Sequence, residues 1–229
     1  MTSLVNIDKL VKTYVMGSNV VRALDGIDLS IMNGEFVSVV GPSGSGKSTL
    51  MNMIGCLDIP DSGTYMLDGL DVSDMNDKDL AAIRSEKIGF VFQGFNLLPK
   101  FTALENVELP LIYRGFHHKQ RKKMALEALD RVGLGDRTHH KPTELSGGQM
   151  QRVAVARALA GNPPVILADE PTGNLDTHTG AEILDMLDKI HGQGNTIILI
   201  THDNMLAHQA KRKIEIRDGL IIHDEEVRK

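Results

Sequence analysis

Hydrophobic positions change rhythm three times along the chain. Residues 4–12, 22–31 and 36–40 form extended apolar runs punctuated by Gly17 and Asn33-Gly34, a pattern of strands joined by turns. Residues 48–57 then place apolar side chains at 50, 53, 54 and 57, one stripe of a helix. Short strands near 64–67 and 87–92 flank a polar helix around 78–86. Between 95 and 145 the strand signal fades. Helices are expected over 104–113, over 120–132 (with Ala125, Ala128, Leu129 and Val132 on one face) and after Leu145. Beyond residue 160 strands and helices alternate again. The apolar runs 165–168 and 196–200 suit buried parallel strands, and Ile183, Leu184, Leu187 and Ile190 line one stripe of the helix between them. Residues 214–217 and 220–223 flank Asp218-Gly219, a hairpin signal. The expected fold is α/β: a mostly parallel core, an N-terminal antiparallel β part and a helical insertion. It reads as a single domain over 1–229, with 1–93 and 160–229 forming the core and 94–159 the helical part.

Composition narrows the function. The 229 residues are 41% hydrophobic and 24% charged, as in an ordinary soluble protein, and the net charge of −5 argues against a nucleic-acid binder. One cysteine, Cys56, excludes an intrachain disulfide framework and a multi-cysteine zinc site; it reads as a buried filler near the end of the first helix. No apolar run approaches the roughly 18 residues of a membrane span. The N-terminal residues lack the basic flank and apolar stretch of a signal peptide. Any service to a membrane is therefore expected to pass through a partner. The pairs His117-His118 and His139-His140, and the basic run 119–123, read as exposed surface.

The chemistry begins at Gly41-Pro42-Ser43-Gly44-Ser45-Gly46-Lys47-Ser48, followed by Thr49, which matches the phosphate-loop pattern between an expected strand and an expected helix. Glycines let consecutive amides turn toward an anion, and the helix start adds its dipole. Lys47 brings a charge for the β- and γ-phosphates and Ser48 a hydroxyl for Mg²⁺. Far along the chain, the apolar run 165–168 ends in Asp169-Glu170. Strand carboxyl ends in a parallel sheet face one ligand site. That position suits Asp169 to metal binding and Glu170 to polarising a water. His202 ends the next strand, where a γ-phosphate contact is expected.

Such a pair would equally suit a GTPase, a helicase or a kinase. The discriminating stretch is Leu145-Ser146-Gly147-Gly148-Gln149-Met150-Gln151-Arg152, with Ser-Gly-Gly at a helix start. It makes a second anion-binding site, for which one ATP in one subunit has no use. The ATP of a partner subunit explains it.

These motifs together resemble the ATP-binding subunits of ABC transporters from end to end. The resemblance implies that Gln93 touches Mg²⁺ and senses a permease, and that the loop Asn174-Leu175-Asp176 crosses a dimer interface. It further implies that His202 meets the γ-phosphate and that Tyr14 lies against adenine. Residues 55–58, 95–99, 102–107 and 168–176 resemble the macrolide-exporter and lipoprotein-release branch (MacB/LolD type). Gly94 departs from relatives that carry a second glutamine or another larger residue there, at the permease-facing loop. The chain stops at 229 with no permease attached, unlike members that fuse the two, and is expected to be either a separate subunit or an excised domain. The resemblance thus implies an ATPase with ATP and Mg²⁺ that dimerises with a second copy of itself. It would drive an integral-membrane permease from the inner face of the cell membrane, as a cytoplasmic, peripheral subunit. The rival from another class is a regulatory ABC ATPase that transmits force and moves no substrate. A DNA-repair ATPase would need coiled-coil or zinc insertions between the two motifs, and neither is present.

Overall fold

The computed structural model describes residues 3–17 and 19–227. In chain order these form β1 (Ser3–Met16), β2 (Asn19–Met32), β3 (Phe36–Val40), α1 (Lys47–Ile54), β4 (Ser62–Leu67), β5 (Leu70–Asp71), α2 (Asp77–Lys87) and β6 (Ile88–Phe92). The helices α3 (Ala103–Tyr113), α4 (His118–Arg131) and α5 (Gly147–Leu159) follow. Then come β7 (Val165–Asp169), α6 (Thr177–Gly192), β8 (Thr196–Ile200), α7 (Asn204–Ala207), β9 (Arg212–Arg217) and β10 (Leu220–Glu226).

The N-terminal hairpin outruns its hydrophobic pattern. β1 and β2 pair antiparallel through Val15↔Val20 as far as Met16↔Asn19, although the two valines are 75% and 69% exposed. Backbone ladder bonds hold that tip without burial. With β4 and β5 the hairpin makes an antiparallel sheet ordered β2-β1-β4-β5. The second sheet is ordered β10-β9-β3-β8-β7-β6. All its strands run parallel except β10, which returns antiparallel at one edge.

Alternation along the central strands divides the interior in two, because successive side chains point to opposite faces. Val37, Val39, Leu167, Ile198 and Ile200 pack with β1, β2 and α1. Phe36, Ile166, Ala168, Ile197 and Leu199 pack with α3, α4, α5 and α6. The helical part and the sheet therefore share one core, and α5 lies between them.

Three expectations change. α1 stops at Ile54, not Leu57, because the chain turns left-handed at Cys56 and closes the helix end, with Cys56 N donating to Met53 O at 3.0 Å and Leu57 N to Asn52 O at 2.8 Å. Cys56 accordingly sits in a left-handed turn (φ 51°) rather than in the helix, still buried, and burial pushes its thiol up to about 11. His140 is half-buried beside Arg137, not exposed.

Helix starts follow their capping chemistry. Asn76 caps α2, Thr102 and Glu105 form a reciprocal capping box on α3, and Ser146 and Gln149 form another on α5. One residue of α3 does more than pack. Asn106 is fully buried, accepts from Leu98 N at 2.8 Å, and donates to the carbonyls of Leu98, Phe101 and Thr102. It holds the loop that leads into the helical part. Asn106→Leu keeps the volume and strands those groups, so urea denaturation should show a loss of about 1–3 kcal/mol. A change below about 0.5 kcal/mol would show that water replaces the amide.

Candidate active site

Strand register brings the distant motifs together. Phe92 is paired with Asp169, Asp169 with Ile200, and Ile200 with Val39. β6, β7, β8 and β3 thus end along one edge of the sheet. The segments that leave them are Gln93, Glu170 onward, Thr201-His202 and the 41–46 loop.

The loop has room for little besides backbone. A Cβ on Gly41 would collide with Ile216 O, and one on Gly46 would lie 2.5 Å from Ala23 O. Gly46 also adopts φ 107° as the N-cap of α1. Gly44, Gly46, Lys47, Ser48 and Thr49 line a recess of about 340 Å³ together with Val21, Arg22, Ala23, Asp218 and Gly219. Gly41, Pro42 and Ser43 line a neighbouring recess of about 520 Å³ with His202, Lys213 and Glu215. Ser45 is buried, with its hydroxyl unpaired. Lys47 Nζ donates to Gly41 O at 2.7 Å and Pro42 O at 2.8 Å. Burial lowers its pKa, while Glu170 and Asp169 pull it back up.

Asp169 is half-buried. Burial first, and the neighbouring Glu170 second, hold its carboxyl above the usual range against the opposing pull of Lys47. Glu170 takes φ 43°, a region costly for a residue with a side chain. Its amide donates to Ile200 O at 2.9 Å. Its Oε1 accepts from His202 N at 2.8 Å and lies 2.6 Å from His202 Nδ1, and Oε2 accepts from the Thr201 hydroxyl at 3.1 Å. Glu170 and His202 are thus one hydrogen-bonded unit. Gln93 is exposed at the same edge and braced by Asn174, whose side-chain nitrogen donates to Gln93 O at 3.0 Å. The segment beyond it, Gly94–Asn96, is gripped by Arg157, which donates to Phe95 O at 2.9 Å and Asn96 O at 2.5 Å.

Other expected residues lie apart. Tyr14 does not line the Lys47 recess. Its hydroxyl donates to Asp58 Oδ2 at 2.8 Å, Lys12 Nζ stands 5.4 Å from the ring centre, and it reaches the recess only through Thr49. Asp176 caps α6, accepting from Thr179 N at 3.0 Å and from Thr179 Oγ1 at 2.6 Å. Those bonds lower its pKa. At the start of α5, Ser146 Oγ accepts from Gln149 N at 3.3 Å, and Gln149 Oε1 accepts from Ser146 N at 3.0 Å. A Cβ on Gly147 would meet Leu175 at 3.3 Å, and one on Gly148 would strike Thr179. None of Ser146, Gly147, Gly148 or Gln149 lines either recess.

Sequence reasoning passed over Arg22, Ala23, Asp218 and Gly219. The Asp218-Gly219 signal was legible as a hairpin turn, with φ 52° and 77°. Its second task appears only in three dimensions: Gly219 N donates to Ser45 O at 3.0 Å, and Asp25 N donates to Gly219 O at 2.9 Å. The buried Gln151 carried no chemical signal of its own.

The sequence matches the ABC transporter family over residues 24–173. It is 55% identical to an ABC transporter ATP-binding protein of Thermotoga maritima, over 92% of this chain and 90% of that one. It is 53% identical to the macrolide export ATP-binding/permease protein MacB of Hyphomonas neptunium, where the match covers 96% of this chain and 34% of that one. Among solved structures, a dimeric post-hydrolysis state of the ATP-binding cassette MJ0796 bound to ADP and Pi superposes with a TM-score of 0.89. Identity there is 49%, over 98% of this chain and 99% of that one. A relative of the same name comes from Methanocaldococcus jannaschii.

The raised carboxyl of Asp169 has a consequence for stability. A group whose folded pKa lies above its unfolded one favours folding when protonated; that contribution is full below the unfolded pKa and is lost as pH rises through the folded pKa. At neutral pH the buried charge is therefore a burden. Asp169→Asn should raise the unfolding midpoint of the nucleotide-free protein at about pH 8, and the gain should shrink toward about pH 4. Thermal melts at both pH values test this. A midpoint lowered at about pH 8 would show that Lys47 more than compensates the burial.

Proposed function

The chain belongs to the ABC transporter family, and we propose that it is a transporter's ATP-hydrolysing motor, closing as a pair of copies on two ATP molecules and driving a separate membrane permease. No helix among the described residues is long and apolar enough to cross a membrane. The proposed location is cytoplasmic, on the inner face of the membrane and held there by the permease. One observation carries the reading. A phosphate cradle and a pair of carboxylates share one sheet edge, while a second anion-binding helix start on the same chain lines neither recess beside that cradle.

Gly41 to Thr49 cradle the phosphates with amides and hydroxyls. Lys47 exchanges the carbonyls of Gly41 and Pro42 for the β- and γ-phosphates. Tyr14, approaching through Thr49 and steadied by Asp58, offers its ring to adenine. The donor set suits Mg²⁺: the Ser48 hydroxyl, the Gln93 amide oxygen and the Asp169 carboxylate are all hard oxygen ligands. The raised pKa of Asp169 marks a place where added positive charge is favourable. Among the described residues no cluster of three or more histidine, cysteine or acidic side chains forms a closed cage. Phosphate and water oxygens would complete such a site. When bound, Mg²⁺ neutralises charge developing on the phosphate oxygens. Glu170 orients and deprotonates the attacking water, held in place by Thr201 and His202. His202 is poised to turn from Glu170 to the γ-phosphate. Ser146, Gly147, Gly148 and Gln149 serve the nucleotide of the second copy, and Asp176 sets the loop that faces it.

Glu170→Gln keeps the shape and removes the base. ATP binding should persist while steady-state turnover falls by roughly two to four orders of magnitude. The same variant should be dimeric with ATP and monomeric without it, because ligand in the interface stabilises the dimer. Turnover near wild type would remove Glu170 from the base role, and a monomer at saturating ATP by light scattering would remove the paired mechanism.

The trans role of Leu145–Gln149, which matches the family's signature sequence, has its own test. Ser146→Arg and Lys47→Ala should each be inactive alone. Mixed together, they place both defects in one composite site and leave the other intact, so hydrolysis should return in part. Monomeric Ser146→Arg should bind ATP as wild type does. A large loss of monomer affinity with the fold unchanged would put the signature in cis.

A further inference from the structure

α5 begins at the signature and runs back beneath the loops that carry the chemistry. Within it, among Val153, Val155 and Ala156, lies one fully buried amide, Gln151. Its Nε2 donates to Pro171 O at 2.6 Å and to Phe92 O at 3.3 Å. Phe92 is the residue before Gln93, and Pro171 is the residue after Glu170. Both partners are carbonyls, so only the nitrogen can face them and the orientation of the amide is settled by chemistry. The other end is unusual: Gln151 Oε1 is buried with no partner. A methionine would fill much the same space and remove that orphaned oxygen, but would leave the Pro171 carbonyl without its donor.

The same helix reaches the acidic loop a second time. Ser146 starts α5 about 7.5 Å along the axis from Gln151. Between them Gly148 packs against Thr179, whose hydroxyl and amide are bound by Asp176. The segment from Pro171 to Asp176 is thus gripped by α5 at both ends.

We propose that Gln151 is a positioning residue for hydrolysis, fixing the signature helix to the backbone beside Gln93 and beside Glu170. Engagement of the signature by a second copy then sets the position of the water-activating carboxylate in the same chain. This rests on the ATPase reading above. The residue touches no substrate; it acts through two carbonyls.

The test uses the full chain with Gln151→Met, which removes the donor at similar volume, and Gln151→Glu, which replaces it with a carboxylic acid. In Gln151→Met, ATP affinity by equilibrium binding should stay within about threefold of wild type, while kcat falls at least about tenfold. Gln151→Glu should match it at about pH 8. Burial against two carbonyls holds the introduced acid toward its protonated form, which can donate one bond. Its activity relative to wild type should therefore recover in part at about pH 6. Wild-type kcat in Gln151→Met overturns the proposal. So does a parallel loss of affinity, kcat and melting temperature, or unfolding of both variants, either of which makes the residue merely structural. A wild-type chain that hydrolyses no ATP overturns the ATPase reading and this proposal with it. An active wild type with an indifferent Gln151→Met overturns this proposal alone.

Discussion

A loop that binds phosphate through its amides must keep those amides free of internal partners and must be nearly bare of side chains. It therefore has little with which to hold its own shape. The 41–46 loop is braced from outside, by Ile216 O behind Gly41, by Ala23 O behind Gly46, and by the Gly219 amide on Ser45 O. These braces come from β9, β2 and the β9–β10 turn. This explains why the antiparallel sheet and the C-terminal hairpin crowd the phosphate loop although neither carries the chemistry. Asp25 N on Gly219 O ties the two braces to each other.

The charges around that loop sit where an unliganded fold would not choose them. Lys47 is lowered by burial and satisfied only by its own loop's carbonyls. Asp169 is raised, and Glu170 is held at φ 43°. Each is a small loss to the folded chain, and each points at the same sheet edge. Stability given up locally and recovered on binding is the ordinary pattern of a functional site. The large two-sided core supplies what is lost.

How much of this was legible in the sequence depended on how local the cause was. β3, β8 and the helix after Leu145 were legible because apolar runs and a Ser-Gly-Gly start are local signals. The shared sheet edge is legible for another reason: parallel strands carry their ligands at their carboxyl ends, so Asp169 and His202 can be placed there before their pairing is known. What escaped was contact between distant segments. The end of α1 is hidden because its left-handed capping residue is Cys56, where a glycine would announce the stop, and the apolar stripe runs on to Leu57. The hydrogen bond of Tyr14 to Asp58 likewise leaves no trace in strand periodicity. Gln151 looks like one polar position on an amphipathic helix until its two carbonyl partners are in place.

The start of α5 completes the case for a shared site. Its capping box satisfies Ser146 N and Gln149 N within the chain. The amides of Gly147 and Gly148 have no intrachain acceptor among the described residues, as the first turn of a helix leaves them. Two free donors and a hydroxyl at a positive helix end make a cradle for an anion. None of these residues lines the recess beside Lys47. In the paired motor proposed above, a two-fold axis would bring each helix start to the other copy's loop and fill both sites at once. On that geometry a single copy would hold two half-sites, neither complete until the second copy is in place.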